Sequence, residues 1–193
     1  EITDHIVFNS ERQLRKHGAR CRDAGVSVGL RLNPQCSTQG DHALYDPCAP
    51  GSRFGVTLDK IPSDLLDLVD GLHFHTLCEQ GADDLETTLK AVEAQFGPYL
   101  HQVKWLNMGG GHHITREGYD VDLLISEIKR IRETYNLEVY IEPGEAIALN
   151  AGYLATEVLD IVENGMDILV LDASATCHMP DVLEMPYRPP LRN

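Results

Sequence analysis

Apolar positions along this chain alternate between two rhythms. Ile6-Val7-Phe8 is a short apolar run ending at Asn9, and Val26 to Leu32 is a second, rich in Val and Leu. Leu72 to His75, Val103 to Met108 and Leu137 to Ile141 follow, and all five read as strands. Helical spacings lie between them. Ser10 with Gln13 three residues on reads as a capping box, opening a helix to about Ala24 that Gly25 stops. Pro62 opens a helix through about Val69. Asp83 or Asp84 starts another, with Leu85, Leu89, Val92 and Phe96 as its apolar positions and Gly97-Pro98 as its close. A helix from about Asp120 to Tyr135 sets Val121, Leu124, Ile128 and Ile131 on one face. Tyr153 to Ile161 alternates as a strand, and Ile168 to Leu171 reads as a buried one. Residues 33–53, with three Pro, two Gly and two Cys, read as a long loop. Inside a compact domain such a loop is more often functional than filler.

Repeated strand–helix units predict a parallel sheet covered by helices. The five strands end near His, Gly, Asn, Arg or Glu, and the carboxyl ends of strands carry the chemistry of a parallel barrel. A complete eight-stranded barrel takes about 250 residues. Five strands in 193 residues, with no initiating Met, read as a barrel lacking its beginning. The expected fold is therefore α/β, a partial TIM (β/α)8 barrel over residues 1–150, with 151–193 as a return segment.

Charge narrows the partners. Thirty acidic against sixteen basic residues give a formal charge of −14. That argues against nucleic acid, whose binding rests on Lys and Arg neutralising phosphates, and against an anionic membrane surface. It leaves open a cationic small molecule, or solubility alone. No apolar run reaches the roughly 18–20 residues of a membrane helix, and the start lacks a secretory pattern, so the expected location is cytoplasmic. Cysteines at 21, 36, 48, 78 and 177 include no CxxC pair. Neither a structural zinc site nor a disulfide framework is indicated.

Several constellations could carry chemistry. His73 and His75 alternate with Phe74, so on a strand both face one way and could bind a metal, or one could be a buried histidine and the other a rim residue. Gly109-Gly110-Gly111 ends a strand, where glycines let backbone N–H groups approach an anion as phosphate loops do; a lone glycine run reads as a tight turn, but three at a strand end followed by His112-His113 put phosphate binding level with it. Glu142 precedes Pro143-Gly144 at another strand tip, aimed to hold a protonated ring nitrogen or to act as acid or base. Asp172 to His178 is a polar cluster, and Cys177-His178 is weak as a nucleophile pair because adjacent side chains rarely meet. Arg12, Arg15 and Lys16 read as a solvated helix face.

The ordered set Gly29-Leu30-Arg31-Leu32-Asn33-Pro34, Ser52-Arg53-Phe54-Gly55, Leu72-His73-Phe74-His75, Gly109-Gly110-Gly111 and Glu142-Pro143-Gly144 resembles the alanine-racemase-fold, pyridoxal-phosphate-dependent decarboxylases. That family includes the ornithine and diaminopimelate enzymes. His75-Thr76-Leu77-Cys78-Glu79, Gly111-His112, Glu142-Pro143-Gly144-Glu145-Ala146 and Thr176-Cys177-His178-Met179-Pro180-Asp181 resemble its branch acting on carboxylated polyamines. The likeness runs from about Ile6 to Pro189.

The resemblance implies an alanine-racemase-like barrel without its first strands and without most of the carboxyl-terminal β-domain, and a homodimer when full length. It implies pyridoxal 5'-phosphate as cofactor, His75 stacking on its ring and Glu142 pairing with its ring nitrogen. Gly109, Gly110, Gly111, His112 and Gly144 would lie about its phosphate and Arg31 near its phenolic oxygen. Ornithine-type relatives read EPGR where this chain has Glu145, and a carboxylate there suits a cation. Glu145 and Asp181 are therefore the expected grips on the amines of a cationic carboxylated polyamine, with no resident metal. The family's Schiff-base lysine lies on the first barrel strand, and Lys16, Lys60, Lys90, Lys104 and Lys129 do not match it. The chain alone is expected to be inactive. Rival readings are a diaminopimelate or basic amino-acid decarboxylase, a catalytically dead binding homologue, and a metal-dependent hydrolase using His73 and His75.

Overall fold

The computed structural model describes residues 3–40, 46–184 and 186–191. Residues 41–45 of the loop read between 33 and 53, and the first two of the chain, lie outside the described residues. The chain divides into two units, residues 1–149 and 150–193.

In the first unit, five strands alternate with helices: β1 (His5–Phe8), α1 (Glu11–Asp23), β2 (Ser27–Arg31), α2 (Leu65–Leu68), β3 (Gly71–His73), α3 (Ala82–Leu100), β4 (Trp105–Asn107), α4 (Val121–Tyr135), β5 (Glu138–Tyr140) and the single turn α5 (Glu145–Ala148). The sheet order is β1-β2-β3-β4-β5, every neighbour parallel. This is the strand–helix repeat of a TIM-type barrel, with five strands present.

Alternation along each strand sorts the side chains. Val28, Leu30, Leu72 and Leu106 are solvent-inaccessible and pack with Leu85, Leu89, Val92, Phe96 and Ile131 of the helices. The intervening residues fall on the other face. Register aligns Arg31 with His73, His73 with Asn107, and Asn107 with Tyr140, so one row across four strands is polar. One row below, Gly29 and Gly71 make room for the indole of Trp105, where a Cβ on Gly71 would sit 1.9 Å from Trp105 Cδ2. His5 of β1 lies 5.3 Å from the Trp105 ring and 5.1 Å from the Tyr140 ring of β5. The two edge strands thus meet through aromatic rings, and the sheet curls about its polar face.

Sequence patterning placed the five strands, and several details differ. Ser10 caps α1 through Gln13 N, but the Gln13 side chain accepts from Asn9 N, one residue earlier than in a capping box. The helix expected from Pro62 shrinks to Leu65–Leu68, because Asp64 in its cap makes no side-chain hydrogen bond there and instead pairs with Arg15. Helix α3 starts at Ala82, with Asp84 accepting from Gly81 N, and runs through Pro98 to Leu100. Proline forfeits one backbone bond in a last turn, while Leu100 is fully buried and holds that turn down. On α4, Val121 points to solvent while Leu124 and Ile131 are buried.

The second unit is an antiparallel pair, β6 (Val158–Glu163) and β7 (Asp167–Leu171), followed by the single turns α6 (Ala175–His178) and α7 (Asp181–Glu184). The strand expected from Tyr153 begins instead at Val158. The strand expected to be buried, Ile168 to Leu171, is exposed along its length. Two isolated strands cannot cover both faces of each other.

Candidate active site

The polar row at the carboxyl ends of the strands opens into a cavity of about 470 Å³, lined by residues of the first unit. Arg31, at the end of β2, donates from Nη2 to the His75 carbonyl at 3.1 Å, and its guanidinium lies 4.6 Å from the Phe54 ring centre. These two contacts fix a half-buried cation, whose pKa burial lowers from the ordinary arginine value. The return end of the loop thus packs against the end of β2 through an arginine–aromatic contact.

His75 stands just beyond β3 and lines the cavity. Its Nδ1 accepts from Gly110 N at 3.2 Å, which orients the ring against the glycine turn. Gly109 and Gly111 have φ of +69° and +80°. A Cβ on Gly110 would come 2.7 Å from the Glu142 carbonyl, and one on Gly111 would come 2.1 Å from the Leu77 carbonyl. Close approach of three loops therefore demands glycine there, and Gly110 and Gly111 also line the cavity.

Glu142 follows β5, its backbone anchored by a 2.7 Å bond from Glu142 N to the Gly109 carbonyl. Asn107 Nδ2 donates to Glu142 Oε1 at 2.8 Å, and His73 Nε2 lies 3.6 Å from Oε2. Burial pushes the His73 pKa down to about 4 against the opposing pull of Glu142, so this contact joins a neutral imidazole to a carboxylate. Asn107 was not singled out from sequence, although it ends a barrel strand beside a chemistry-bearing neighbour. Its place in the polar row was the available signal.

His112 is buried, with Nε2 at 3.3 Å from the Met108 carbonyl and Nδ1 unpartnered. Burial lowers the pKa values of His75 and His112 as well. Gly144 and Glu145 line the same cavity, and Glu145 Oε1 lies 3.9 Å from His113 Nε2. Asp181 belongs to the second unit, where it accepts from the Tyr187 hydroxyl at 2.8 Å. The His178 ring of that unit lies 3.2 Å from the Ser174 backbone. None of the chain's five lysines lines the cavity. Lys104 opens β4 at its amino end and pairs with Asp70 at 2.7 Å.

The set suits an anionic heteroaromatic cofactor. The volume falls in the range of about 300–1,000 Å³ common to small-molecule sites. A glycine turn, a fixed cation and an imidazole wall line it, with one braced carboxylate. Among the described residues, one group also has metal-ligand geometry: the donor atoms of His73, His75 and Glu142 lie within 4.8 Å of one another.

No protein-family profile matches the chain. It is 44% identical over 186 residues to a carboxynorspermidine/carboxyspermidine decarboxylase of Campylobacter jejuni, covering 96% of this chain and 48% of that protein. It is 42% identical over 194 residues to a carboxyaminopropylagmatine decarboxylase of Synechocystis, covering 99% and 50%. Its fold superposes with a TM-score of 0.84 on the crystal structure of carboxynorspermidine decarboxylase complexed with norspermidine from Campylobacter jejuni, at 43% identity over 95% of this chain and 47% of that one. The chain spans about half the length of the curated relatives it matches.

Proposed function

We propose, for a chain that belongs to the alanine-racemase-fold decarboxylases, that it is the cofactor-holding part of an enzyme decarboxylating carboxynorspermidine or carboxyspermidine to norspermidine or spermidine. The single observation that carries this reading is Glu142, braced by Asn107 at 2.8 Å and facing the same cavity as His75 and the glycine turn. Pyridoxal phosphate, when bound, supplies the electron sink for loss of the carboxylate.

The chain's own residues bind and tune. Gly110, Gly111 and His112 would meet the phosphate, with Gly109 shaping the turn and Gly144 at the facing loop. His75 would form the wall against the ring. Glu142 would hold the ring nitrogen's proton, with its Oε1 engaged by Asn107 so that it keeps its aim. Arg31 steadies His75 through the backbone carbonyl. Glu145 would grip substrate amines. A homodimer, as the resemblance implies, and a cytoplasmic setting accompany this reading. With no lysine at the cavity, the chain alone is expected to bind the cofactor without turning over.

Titration with pyridoxal phosphate tests the reading. The 193-residue chain should perturb the cofactor's absorbance without a covalent mass increment on any of its five lysines, and Glu142→Ala should abolish the perturbation. Covalent attachment to one of those lysines, or a spectrum indifferent to Glu142, would sink it. Glu145→Gln should weaken norspermidine about tenfold, the worth of one charge-assisted bond, and leave the cofactor spectrum alone. The grouping of His73, His75 and Glu142 favours a second reading, a bound divalent cation. Stoichiometric zinc that survives dialysis and excludes the cofactor would establish that reading instead.

A further inference from the structure

Phe54 has no task in the reading above, although it lies in the Ser52-Arg53-Phe54-Gly55 motif and lines the cavity. It is 37% exposed, so its ring is wall and not core. The backbone around it is nonetheless held from several sides. Asn9, just past β1, donates from Nδ2 to the Arg53 carbonyl at 2.9 Å and accepts at Oδ1 from Gly55 N at 2.9 Å. One side-chain amide, with a donor and an acceptor, thus brackets Phe54 as a neighbouring strand would. Asn9 is itself tied down, since its N–H donates to Gln13 Oε1 at 3.0 Å. Asn33 Nδ2 donates to the Phe54 carbonyl at 3.1 Å, and Val56 N donates to the Arg31 carbonyl at 2.9 Å. Gly55 has φ of +79°, and a Cβ there would come 2.7 Å from the Leu32 carbonyl.

The object of this anchoring is the Arg31 guanidinium, 4.6 Å from the Phe54 ring centre. Its one side-chain hydrogen bond among the described residues goes to the His75 carbonyl. A single bond does not fix a long, rotatable side chain against its entropy. The face of a held aromatic ring supplies the second constraint. Arg53 lies 5.1 Å from the same ring centre, so two like charges share one ring, and the ring must keep its place for Arg31 to keep its own.

We infer that Asn9 is a positioning residue for the cofactor site. Its amide sets Phe54, and the Phe54 ring sets the Arg31 guanidinium at the cavity wall. Asn9 does not line the cavity itself, so it acts through the ring. The inference rests on the cofactor reading of that cavity.

Equilibrium dialysis and absorbance of pyridoxal phosphate with the 193-residue chain test it. Asn9→Ala should raise the dissociation constant about threefold to fivefold, the worth of one exposed arginine–aromatic contact. Phe54→Leu removes that contact and should cost the same. The two together should cost no more than either alone, because Asn9 then has no ring to aim. Arg31 lines the cavity, so both single variants should also shift the bound cofactor's absorbance maximum in one direction. Gly118→Ala, which adds a carbon with nothing within 4 Å and away from the cavity, should leave the constant and the maximum at parental values. Multiplied losses in the double variant make Asn9 and Phe54 independent and overturn the inference. Parental affinity in Asn9→Ala or in Phe54→Leu overturns it too. So does a loss in Gly118→Ala equal to that in Asn9→Ala, which would trace the effect to general stability. A parent chain that does not bind pyridoxal phosphate overturns the cofactor reading and this inference together.

Discussion

Asn107 shows how one unremarked side chain can set the chemistry of another. Its amide reaches both the Glu142 carboxylate and, through Oδ1, the Gly109 N–H at 2.8 Å. It therefore ties the aimed carboxylate to the anion turn. Asn107→Leu is expected to lower pyridoxal phosphate affinity about tenfold, as for one hydrogen bond to a charged group, with equilibrium dialysis as the readout; an unaltered constant would remove Asn107 from the site. His73 gives a pH prediction. Its pKa is pushed down to about 4 from 6.5, chiefly by burial. The unfolded chain then binds a proton that the fold refuses, so its stabilisation is whole above pH 6.5 and lost as pH falls towards 4. From pH 7 to pH 5 that loss is about 2 kcal/mol for His73, with His75 and His112 adding in the same direction. Urea unfolding at the two pH values should show it, and His73→Asn should flatten the profile. Sequence marked His75, Glu142 and the glycines because each sits in a short motif at a strand end. It passed over Asn107 because its meaning lies in cross-strand register, which is not local.

Elements were legible where period and burial agree. The five parallel strands and the long helices α3 and α4 follow directly from apolar spacing, since one face of each meets a single core. Pro98 misled because a proline reads as a stop, whereas the fully buried Leu100 two residues on outweighs one lost backbone bond. Pro62 misled in the opposite sense, since Asp64 serves Arg15 of α1 instead of its own helix. Gly71 is a sharper case. Nothing in the sequence marks it as more than a strand-opening turn residue, yet the Trp105 indole occupies the place of its missing Cβ. Gly71→Ala is expected to cost about 2–3 kcal/mol by overpacking, read as the shift in urea midpoint. Gly118→Ala, with φ of +79° but nothing within 4 Å of the added carbon, should cost only about 1 kcal/mol. If the two substitutions cost the same, the indole is not the constraint.

At the scale of the molecule, the class of fold was open to sequence because β–α alternation admits few arrangements. The second unit was less so. An apolar run such as Ile168 to Leu171 looks the same whether its cover comes from its own chain or from elsewhere. Here Leu159, Ile161, Leu169 and Val170 stand in solvent, and an exposed apolar hairpin is a template for association. The chain is expected to self-associate with concentration in analytical ultracentrifugation, and the pair Ile161→Lys and Leu169→Lys to suppress it. A monomer at all concentrations would show the hairpin to be inert. The curl of the first unit carries a last consequence. The chain has one tryptophan, and it lies on the barrel floor against rings from both edge strands. Its emission is therefore a built-in gauge of whether the two edges remain together, and a pyridoxal chromophore seated above it would dim that light. One dye-free titration could follow closure of the sheet and filling of its mouth at once.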